Sequence, residues 1–139
     1  MRMKGAGAEP LRVLIVDDEE LVLKFVERVL RQAGYTTATA AGGPEALATA
    51  AQLETFDVLV TDVMMPEMTG DELARRIRLQ TPGIKVLYLT GFSDRLFKEK
   101  VTLWADEAFL DKPCSVKGLL QAVSLLMYGR FNLPQEYSS

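Results

Sequence analysis

The sequence predicts an α/β protein built on a five-stranded parallel sheet with helices on both faces. Three runs of strand length, residues 13–16, 58–60 and 86–89, are apolar throughout. Such runs are typical of strands that are buried between two layers of helices. Stretches of helical periodicity alternate with them, which is the order expected when crossover helices connect parallel strands. We therefore predict five consecutive strand–helix units.

The first half of the chain contains two of these units. After strand 13–16, the apolar residues of the first helix share one face; they are Leu21, Val22, Phe25, Val26, Val29 and Leu30. Gly34 ends this helix, because glycine readily adopts the backbone of a C-terminal cap. Strand 36–40 is more polar, which suits a sheet edge. Pro44 begins the second helix, since proline is favoured in a first turn, where Glu45 also suits the helix dipole.

The remaining strands are 58–60, 86–89 and 108–110, the last being the shortest and predicted because the alternation requires it. Between the first two of them, a helix over residues 71–80 is stopped by the turn residues at 81–83.

Two further helices follow the fourth and fifth strands. Ser93 or Asp94 can cap the fourth helix, which continues through Val101. Ser115 can cap the fifth helix. Its apolar face consists of Val116, Leu119, Leu120, Val123, Leu126 and Met127.

The composition is that of one folded domain. The chain has 139 residues, 48% of them hydrophobic and 25% charged, with a net charge of −3. At roughly 100–200 residues per domain, this length accommodates a single domain. We expect a flexible leader over residues 1–10, the domain over 11–128 and a C-terminal tail over 129–139.

Residue types that the chain lacks exclude several functions. With no histidine it has no His-based catalysis and none of the usual zinc sites, and its one cysteine cannot form an internal disulfide. A mildly acidic chain is a poor candidate for direct nucleic-acid binding. No apolar run reaches the roughly 18 residues of a membrane span, and the amino terminus does not resemble a signal peptide. We therefore expect a cytoplasmic protein without membrane contact.

Four of the five strands end at polar residues. In chain order these are Asp17, Asp18, Asp62, Thr90, Asp111 and Lys112. Taken singly, an aspartate or threonine at a strand end usually caps a turn, and a lysine is usually solvated. The carboxyl ends of parallel strands, however, line one crevice. We therefore expect carboxylates, a hydroxyl and an ammonium to converge there.

Such a group of side chains has a specific chemistry. Oxygen ligands without histidine favour a hard cation, Mg²⁺ before a transition metal. A carboxylate beside Mg²⁺, with an ammonium and a hydroxyl nearby, is arranged to attack phosphorus. The sequence therefore predicts a phosphoryl-transfer site.

Four blocks of sequence at these strand ends resemble the receiver domain of two-component response regulators, including the chemotaxis regulators. They are Val16-Asp17-Asp18-Glu19, Thr61-Asp62-Val63-Met64-Met65-Pro66-Glu67-Met68-Thr69-Gly70, Leu89-Thr90-Gly91 and Asp111-Lys112-Pro113. The resemblance extends over residues 11–128. It implies a doubly wound, flavodoxin-like (βα)5 fold with strand order 2-1-3-4-5.

The resemblance implies a role for each acidic residue. Asp62 is the phosphoacceptor, which takes a phosphoryl group from a phosphohistidine on a histidine kinase or phosphotransfer protein. Asp18 is a direct Mg²⁺ ligand and Asp17 a second one, often through water. Asp62 and the backbone carbonyl of Met64 complete the metal site, in which Mn²⁺ is an expected substitute for Mg²⁺.

The resemblance also implies how the signal is read. Lys112 pairs with a phosphoryl oxygen, and its peptide bond to Pro113 is cis. Thr90 is the switch hydroxyl, and Phe109 is the aromatic residue whose rotamer follows it. The switched surface consists of the fourth helix, fifth strand and fifth helix. It contacts a protein partner, and the monomeric chain is a candidate for phosphorylation-dependent dimerisation.

Two apolar residues flank the acceptor at positions that vary in this family. They are Met64, two residues after Asp62, and Phe92, two residues after Thr90. We hypothesise that they hinder an attacking water and lengthen the lifetime of the acyl phosphate. The alternative is that they are tolerated residues at the rim.

Other interpretations of the sequence require motifs of a different enzyme family, or give the same domain a different role or a different parent protein. A haloacid-dehalogenase phosphatase needs a second aspartate where this chain has Met64, and neither a P-loop nor a dinucleotide-binding glycine motif is present. A pseudo-receiver that acts only as a docking module stays open, as does a receiver excised from a hybrid histidine kinase. The receiver resemblance implies no conventional turnover enzyme, only self-phosphotransfer and autodephosphorylation at Asp62.

Overall fold

Five strands and four helices are described in the computed structural model, over residues 10–52, 55–91 and 106–129. In chain order they are β1 (Arg12–Val16), α1 (Glu20–Gln32), β2 (Thr36–Ala40), α2 (Gly43–Gln52), β3 (Val58–Asp62), α3 (Gly70–Gln80), β4 (Lys85–Thr90), β5 (Glu107–Asp111) and α4 (Val116–Tyr128). The predicted fifth helix is thus α4. The predicted fourth helix, Phe92, nearly all of the leader and the tail from residue 130 lie outside the described residues.

The strands form one sheet in the order β2-β1-β3-β4-β5, and every neighbouring pair is parallel. The α/β class and the strand order are therefore confirmed. β2 lies at a sheet edge, as its polar sequence predicts. The order places the carboxyl ends of β1 and β3 side by side, with Val16 opposite Thr61.

Two hydrophobic layers cover the sheet because successive residues of a strand face opposite sides. In β1, Leu14 and Val16 pack into the layer that α2 and α3 complete. Val13 and Ile15 pack into the other layer, with α1 and α4. All four side chains are fully buried. This explains why the run is apolar throughout.

The helix ends follow the predicted signals. The hydroxyl of Ser115 accepts a 2.9 Å hydrogen bond from the backbone N–H of Gly118 and so caps α4. Gly34 lies just beyond α1 with φ of 102°, a backbone conformation that favours glycine. No helix within the described ranges is long and apolar enough to cross a membrane.

The fifth strand is longer than its apolar run predicts. It spans five residues rather than three because Glu107 and Asp111 extend it at either end. Both additional residues are held by the neighbouring strand: the Tyr88 hydroxyl donates to Glu107 at 3.0 Å, and the Thr90 hydroxyl donates to Asp111 at 2.8 Å. Hydrogen bonds with the neighbouring strand thus extend β5 to two polar residues, and a hydropathy pattern cannot predict such bonds.

Candidate functional site

Three aspartate side chains meet at the carboxyl end of the sheet. Asp17 and Asp18 directly follow β1, and Asp62 is the last residue of the neighbouring strand β3. One carboxylate oxygen of each lies within 4.8 Å of the other two. Asp17 and Asp62 are buried, whereas Asp18 is exposed. The three carboxylates thus lie together, as the polarity of the strand ends leads one to expect.

Lys112 reaches this cluster from the far side of β4. It follows β5, which is separated from β3 by one strand. Its Nζ lies 3.2 Å from Asp62 Oδ1, 3.1 Å from Asp17 Oδ2 and 3.0 Å from Glu19 Oε1. One ammonium among these carboxylates offsets part of their mutual repulsion.

The two oxygens of Asp17 have different surroundings. Oδ1 accepts a 2.8 Å hydrogen bond from the backbone N–H of Glu19, which holds the side chain in place. Oδ2 is buried, and the Lys112 ammonium near it is not aligned for a hydrogen bond. A buried carboxylate oxygen without a hydrogen-bond donor carries a desolvation cost. A bound cation would offset that cost.

Burial shifts the protonation of the acidic residues. Burial first, and then the charge of Asp17, raise the pKa of Asp62 to about 7 against the opposing effect of Lys112. Burial also raises the pKa of Asp17. Although burial lowers the pKa of Lys112, the hydrogen bond with Glu19 and the charges of Asp17 and Asp62 raise it above its ordinary value overall. The site therefore holds a stable cation beside carboxylates whose ionised form is costly.

Thr90, the last residue of β4, is fully buried. Its hydroxyl donates to Oδ1 of Asp111, the residue opposite it on β5. The Thr90 hydroxyl, which the resemblance predicts to be the switch, is therefore hydrogen-bonded to β5 in this structure.

Three further residues named from the sequence, Met64, Phe109 and Pro113, lie within the described ranges. Met64 is 52% exposed just beyond Asp62, and Phe109 on β5 is 46% exposed. The peptide bond between Lys112 and Pro113 is cis. Phe92 lies in the part of the chain that the structure does not describe.

The structure adds a positioning role for Gly70, the first residue of α3. A Cβ at this position would collide with the backbone carbonyl oxygen of Asp62. The Gly70 N–H also donates a 2.7 Å hydrogen bond to the carbonyl of Val63. Helix α3 can therefore begin directly against the backbone of Asp62 only with glycine here. The sequence signal was the Thr69-Gly70 pair that ends the second block, but its role depends on tertiary packing.

Two acidic side chains in the site also had no predicted contact. Glu19 pairs with Lys112, and Asp111 accepts from Thr90. Both lie next to stronger signals, the aspartate pair and the lysine. Both belong to the motif blocks at the strand ends, but no local pattern predicts which side chain each of them contacts.

The fold and the site define a class of protein. Residues 13–124 match the response regulator receiver domain family. The match covers most of the chain, and the chain belongs to this family, so the resemblance is confirmed. Receiver domains are signalling modules of two-component systems.

Individual relatives place the chain within this family. It is 31% identical to the response regulator receiver protein CpdR of Brucella abortus, over 84% of this chain and 96% of CpdR. It is 38% identical to the sensor kinase CckA of the same organism, over 83% of this chain but 12% of CckA. The solved structure of chemotaxis protein CheY4 of Vibrio cholerae is similar at 34% identity and a TM-score of 0.71, over 84% of this chain and 98% of CheY4. The chain spans about half the length of several transcriptional regulators that it also matches.

The acidic cluster fits the Mg²⁺ ion that receiver domains generally bind. Its donors are carboxylate oxygens, the ligands that Mg²⁺ prefers. The buried Oδ2 of Asp17 lies 3.1 Å from the Lys112 ammonium but has no aligned hydrogen bond, so it is free to contact a second cation. The residues present therefore suit a hard divalent cation.

Proposed function

We propose that this chain is the phosphoacceptor of a two-component signalling system and takes a phosphoryl group from a phosphohistidine onto Asp62. The observation that carries the proposal is the ion pair of Lys112 with Asp62 inside the aspartate cluster. Carboxylates alone would account for cation binding. A lysine held 3.2 Å from a buried carboxylate adds the group that pairs with a transferred phosphoryl oxygen.

The proposed transfer needs one nucleophile and one donor. A carboxylate oxygen of Asp62 forms a bond to phosphorus as the phosphorus–nitrogen bond of the donor breaks. The electron pair of that bond stays with the imidazole nitrogen, and Asp62 becomes an acyl phosphate. Lys112 then pairs with the negative charge that the phosphoryl group brings, since its ammonium already lies beside Asp62.

The metal ligands in this proposal are the carboxylates of Asp17, Asp18 and Asp62 and the backbone carbonyl of Met64. Asp18 is assigned as a direct ligand and Asp17 as one that often acts through water. Bound Mg²⁺, or Mn²⁺ in its place, supplies positive charge for the phosphoryl oxygens.

The output is proposed to be a protein contact. Thr90 moves to bond the phosphoryl group, and Phe109 follows it. Because Phe109 is nearly half exposed on β5, a change in its rotamer alters the surface formed by the predicted fourth helix, β5 and α4. A downstream protein, or a second phosphorylated copy of the chain, reads that surface.

A phosphotransfer assay tests the proposed function. A histidine kinase or phosphotransfer protein labelled on its histidine is mixed with the chain and Mg²⁺, and the label is followed on both proteins. We expect it to leave the donor and to appear on the chain as an acid-stable, base-labile acyl phosphate. Label that never leaves any donor tried would contradict the proposal.

An apolar groove beside Lys112 is proposed as the contact for the donor protein. It has a volume of about 260 Å³ and is lined by Leu21, Val22, Phe25, Lys112, Pro113 and Cys114. Leu21 is 83% exposed at the start of α1. A phosphohistidine that reaches Asp62 must bring its own protein against the edge of the site, and this groove adjoins that edge through Lys112.

Leu21→Glu is expected to slow phosphotransfer from a phosphorylated kinase by about tenfold, because it places a charge in an apolar contact. Phosphorylation by acetyl phosphate should not change, since a small donor does not need the groove. Leu79→Glu is the matched control, because Leu79 is 82% exposed on α3 and lies outside the groove. Equal slowing by both substitutions, or slowing with acetyl phosphate as well, would count against docking at the groove.

The lifetime of the acyl phosphate is proposed to depend on Met64 and Phe92. Met64 is 52% exposed beside the acceptor, where an apolar side chain excludes an attacking water without activating it. Met64→Asn combined with Phe92→Glu is expected to shorten the lifetime by roughly tenfold, because polar side chains can orient a water. Decay of the phosphorylated mass over time measures this. An unchanged rate means that these are merely rim residues.

Two alternatives share the fold. A pseudo-receiver would dock a partner without phosphorylation, but the joint presence of Asp62, Lys112 and Thr90 disfavours it. A receiver from a hybrid histidine kinase would perform the same transfer, and the identity with part of the sensor kinase CckA supports that context.

A further inference from the structure

The hydrogen bond between Thr90 and Asp111 ties the end of β4 to the end of β5. The two residues are opposite each other in the parallel register, and the Thr90 hydroxyl donates to Asp111 Oδ1 at 2.8 Å. The backbone supports the same pairing, since the N–H of Lys112 donates to the carbonyl of Thr90 at 2.7 Å. Asp111 is exposed, whereas Thr90 is fully buried.

A threonine hydroxyl has one proton and can donate only one hydrogen bond at a time. Thr90 lies one residue beyond Leu89, the strand partner of Asp62. The proton that Thr90 would offer to a phosphoryl group on Asp62 is therefore the proton that it now gives to Asp111. The two acceptors exclude each other.

We propose that Asp111 is a positioning residue that holds Thr90 in the unswitched orientation, so that switching requires this hydrogen bond to break. This inference rests on the proposed function, because it assigns a competitor to the hydroxyl that would bind the phosphoryl group. A carboxylate is a stronger acceptor than a neutral group, so the bond biases the population toward the unswitched state. Asp111 thereby raises the threshold at which a phosphoryl group moves Thr90.

Substitutions at Asp111 separate this hydrogen bond from a general effect of charge. Asp111→Asn removes the negative charge but keeps an acceptor oxygen of the same shape. Asp111→Ala removes both, and Asp111→Leu does so while retaining a side chain of similar bulk, which guards against poor folding of the alanine variant. A charge effect alone makes all three variants behave alike.

The first readout needs no phosphoryl donor. Three-bond couplings of the Thr90 methyl group report its χ1 rotamer by NMR in the unphosphorylated chain. We expect one dominant rotamer in the unchanged chain and in Asp111→Asn, and a mixture in Asp111→Ala and Asp111→Leu. A single unchanged rotamer in all four proteins overturns the proposal.

The second readout is the affinity for beryllofluoride, a phosphoryl mimic, in the presence of Mg²⁺. Affinity should rise about three- to tenfold more in Asp111→Ala than in Asp111→Asn, because no hydrogen bond must break on switching. In a Thr90→Ala background the two substitutions should have equal effects. A difference that persists without the Thr90 hydroxyl overturns the proposal. If the unchanged chain binds no beryllofluoride, the proposed function fails, while the rotamer comparison still decides the role of Asp111.

Discussion

Replacing Asp62 with Asn is expected to abolish phosphorylation of the chain. With acetyl phosphate and Mg²⁺, the intact mass of the unchanged chain should rise by about 80 Da, the mass of one phosphoryl group. The asparagine amide lacks the anionic oxygen that attacks phosphorus, so the mass of the variant should not change. Without Mg²⁺ the unchanged chain should gain little, because Lys112 alone leaves much of the phosphoryl charge unneutralised.

The matched control for this experiment is Asp57→Asn, the same substitution just before the other end of β3. Asp57 accepts a 2.8 Å hydrogen bond from the backbone N–H of Arg12, and an amide oxygen can replace that acceptor. This variant should be phosphorylated like the unchanged chain. A gain of mass on Asp62→Asn would show that the acceptor is another residue. Failure of the unchanged chain with both acetyl phosphate and phosphorylated kinases would favour the docking module.

Asp62→Asn is also expected to stabilise the metal-free chain at high pH. The pKa of Asp62 is about 7 in the folded chain against an ordinary value of 3.8. Between these values the folded state keeps a proton that the unfolded state has released, so the free energy of unfolding falls as the pH rises from about 4 to about 7. Above pH 7 the free energy of unfolding has lost its full contribution from this group. Asparagine does not ionise, so the variant does not lose stability in this way.

The expected gain at pH 8 is about 1 to 3 kcal/mol. Three pKa units correspond to about 4 kcal/mol, and relaxation of the site reduces this. Urea unfolding in EDTA at pH 5 and pH 8 measures the gain, which should be at least twice as large at pH 8. Mg²⁺ should stabilise the unchanged chain and narrow the difference, because it binds the folded site.

The control for stability is Glu20→Gln on the surface of α1. Glu20 is 73% exposed and pairs with Lys24 at 3.0 Å, so its loss should cost less than about 0.5 kcal/mol. If Asp62→Asn stabilises the chain equally at pH 5 and pH 8, or destabilises it, then Asp62 does not carry a costly buried charge.

The loss of phosphorylation and the gain in stability that we expect for Asp62→Asn have one physical origin. Asp17, Asp62 and Lys112 form a group in which negative charge exceeds what one ammonium offsets. Burial of these carboxylates, followed by their mutual repulsion, lowers the stability of the metal-free chain, and the excess negative charge attracts a divalent cation. The stability cost and the proposed chemistry are therefore properties of the same atoms.

Much of the fold could be predicted because its signals are local. The apolar runs of β1, β3 and β4 and the helical stripe of α1 follow from the side-chain periods of strands and helices. Ser115 and Gly34 mark helix ends through hydrogen bonds or backbone angles within a few residues. The polarity of β2 predicted its position at the sheet edge. The limits of β5 were missed because Glu107 and Asp111 are held by Tyr88 and Thr90 rather than by hydrophobic burial.

The sequence by itself determined the class of fold, the residue types at the strand ends and, through four motifs, the family. Only the tertiary structure decided how those residues meet. Lys112 reaches Asp62 across β4 because the sheet order leaves one strand between them, and Thr90 bonds Asp111 because the register places the two side by side. Contacts of this kind depend on strand order and register, which are set by packing between residues far apart in the chain. No local pattern carries that information.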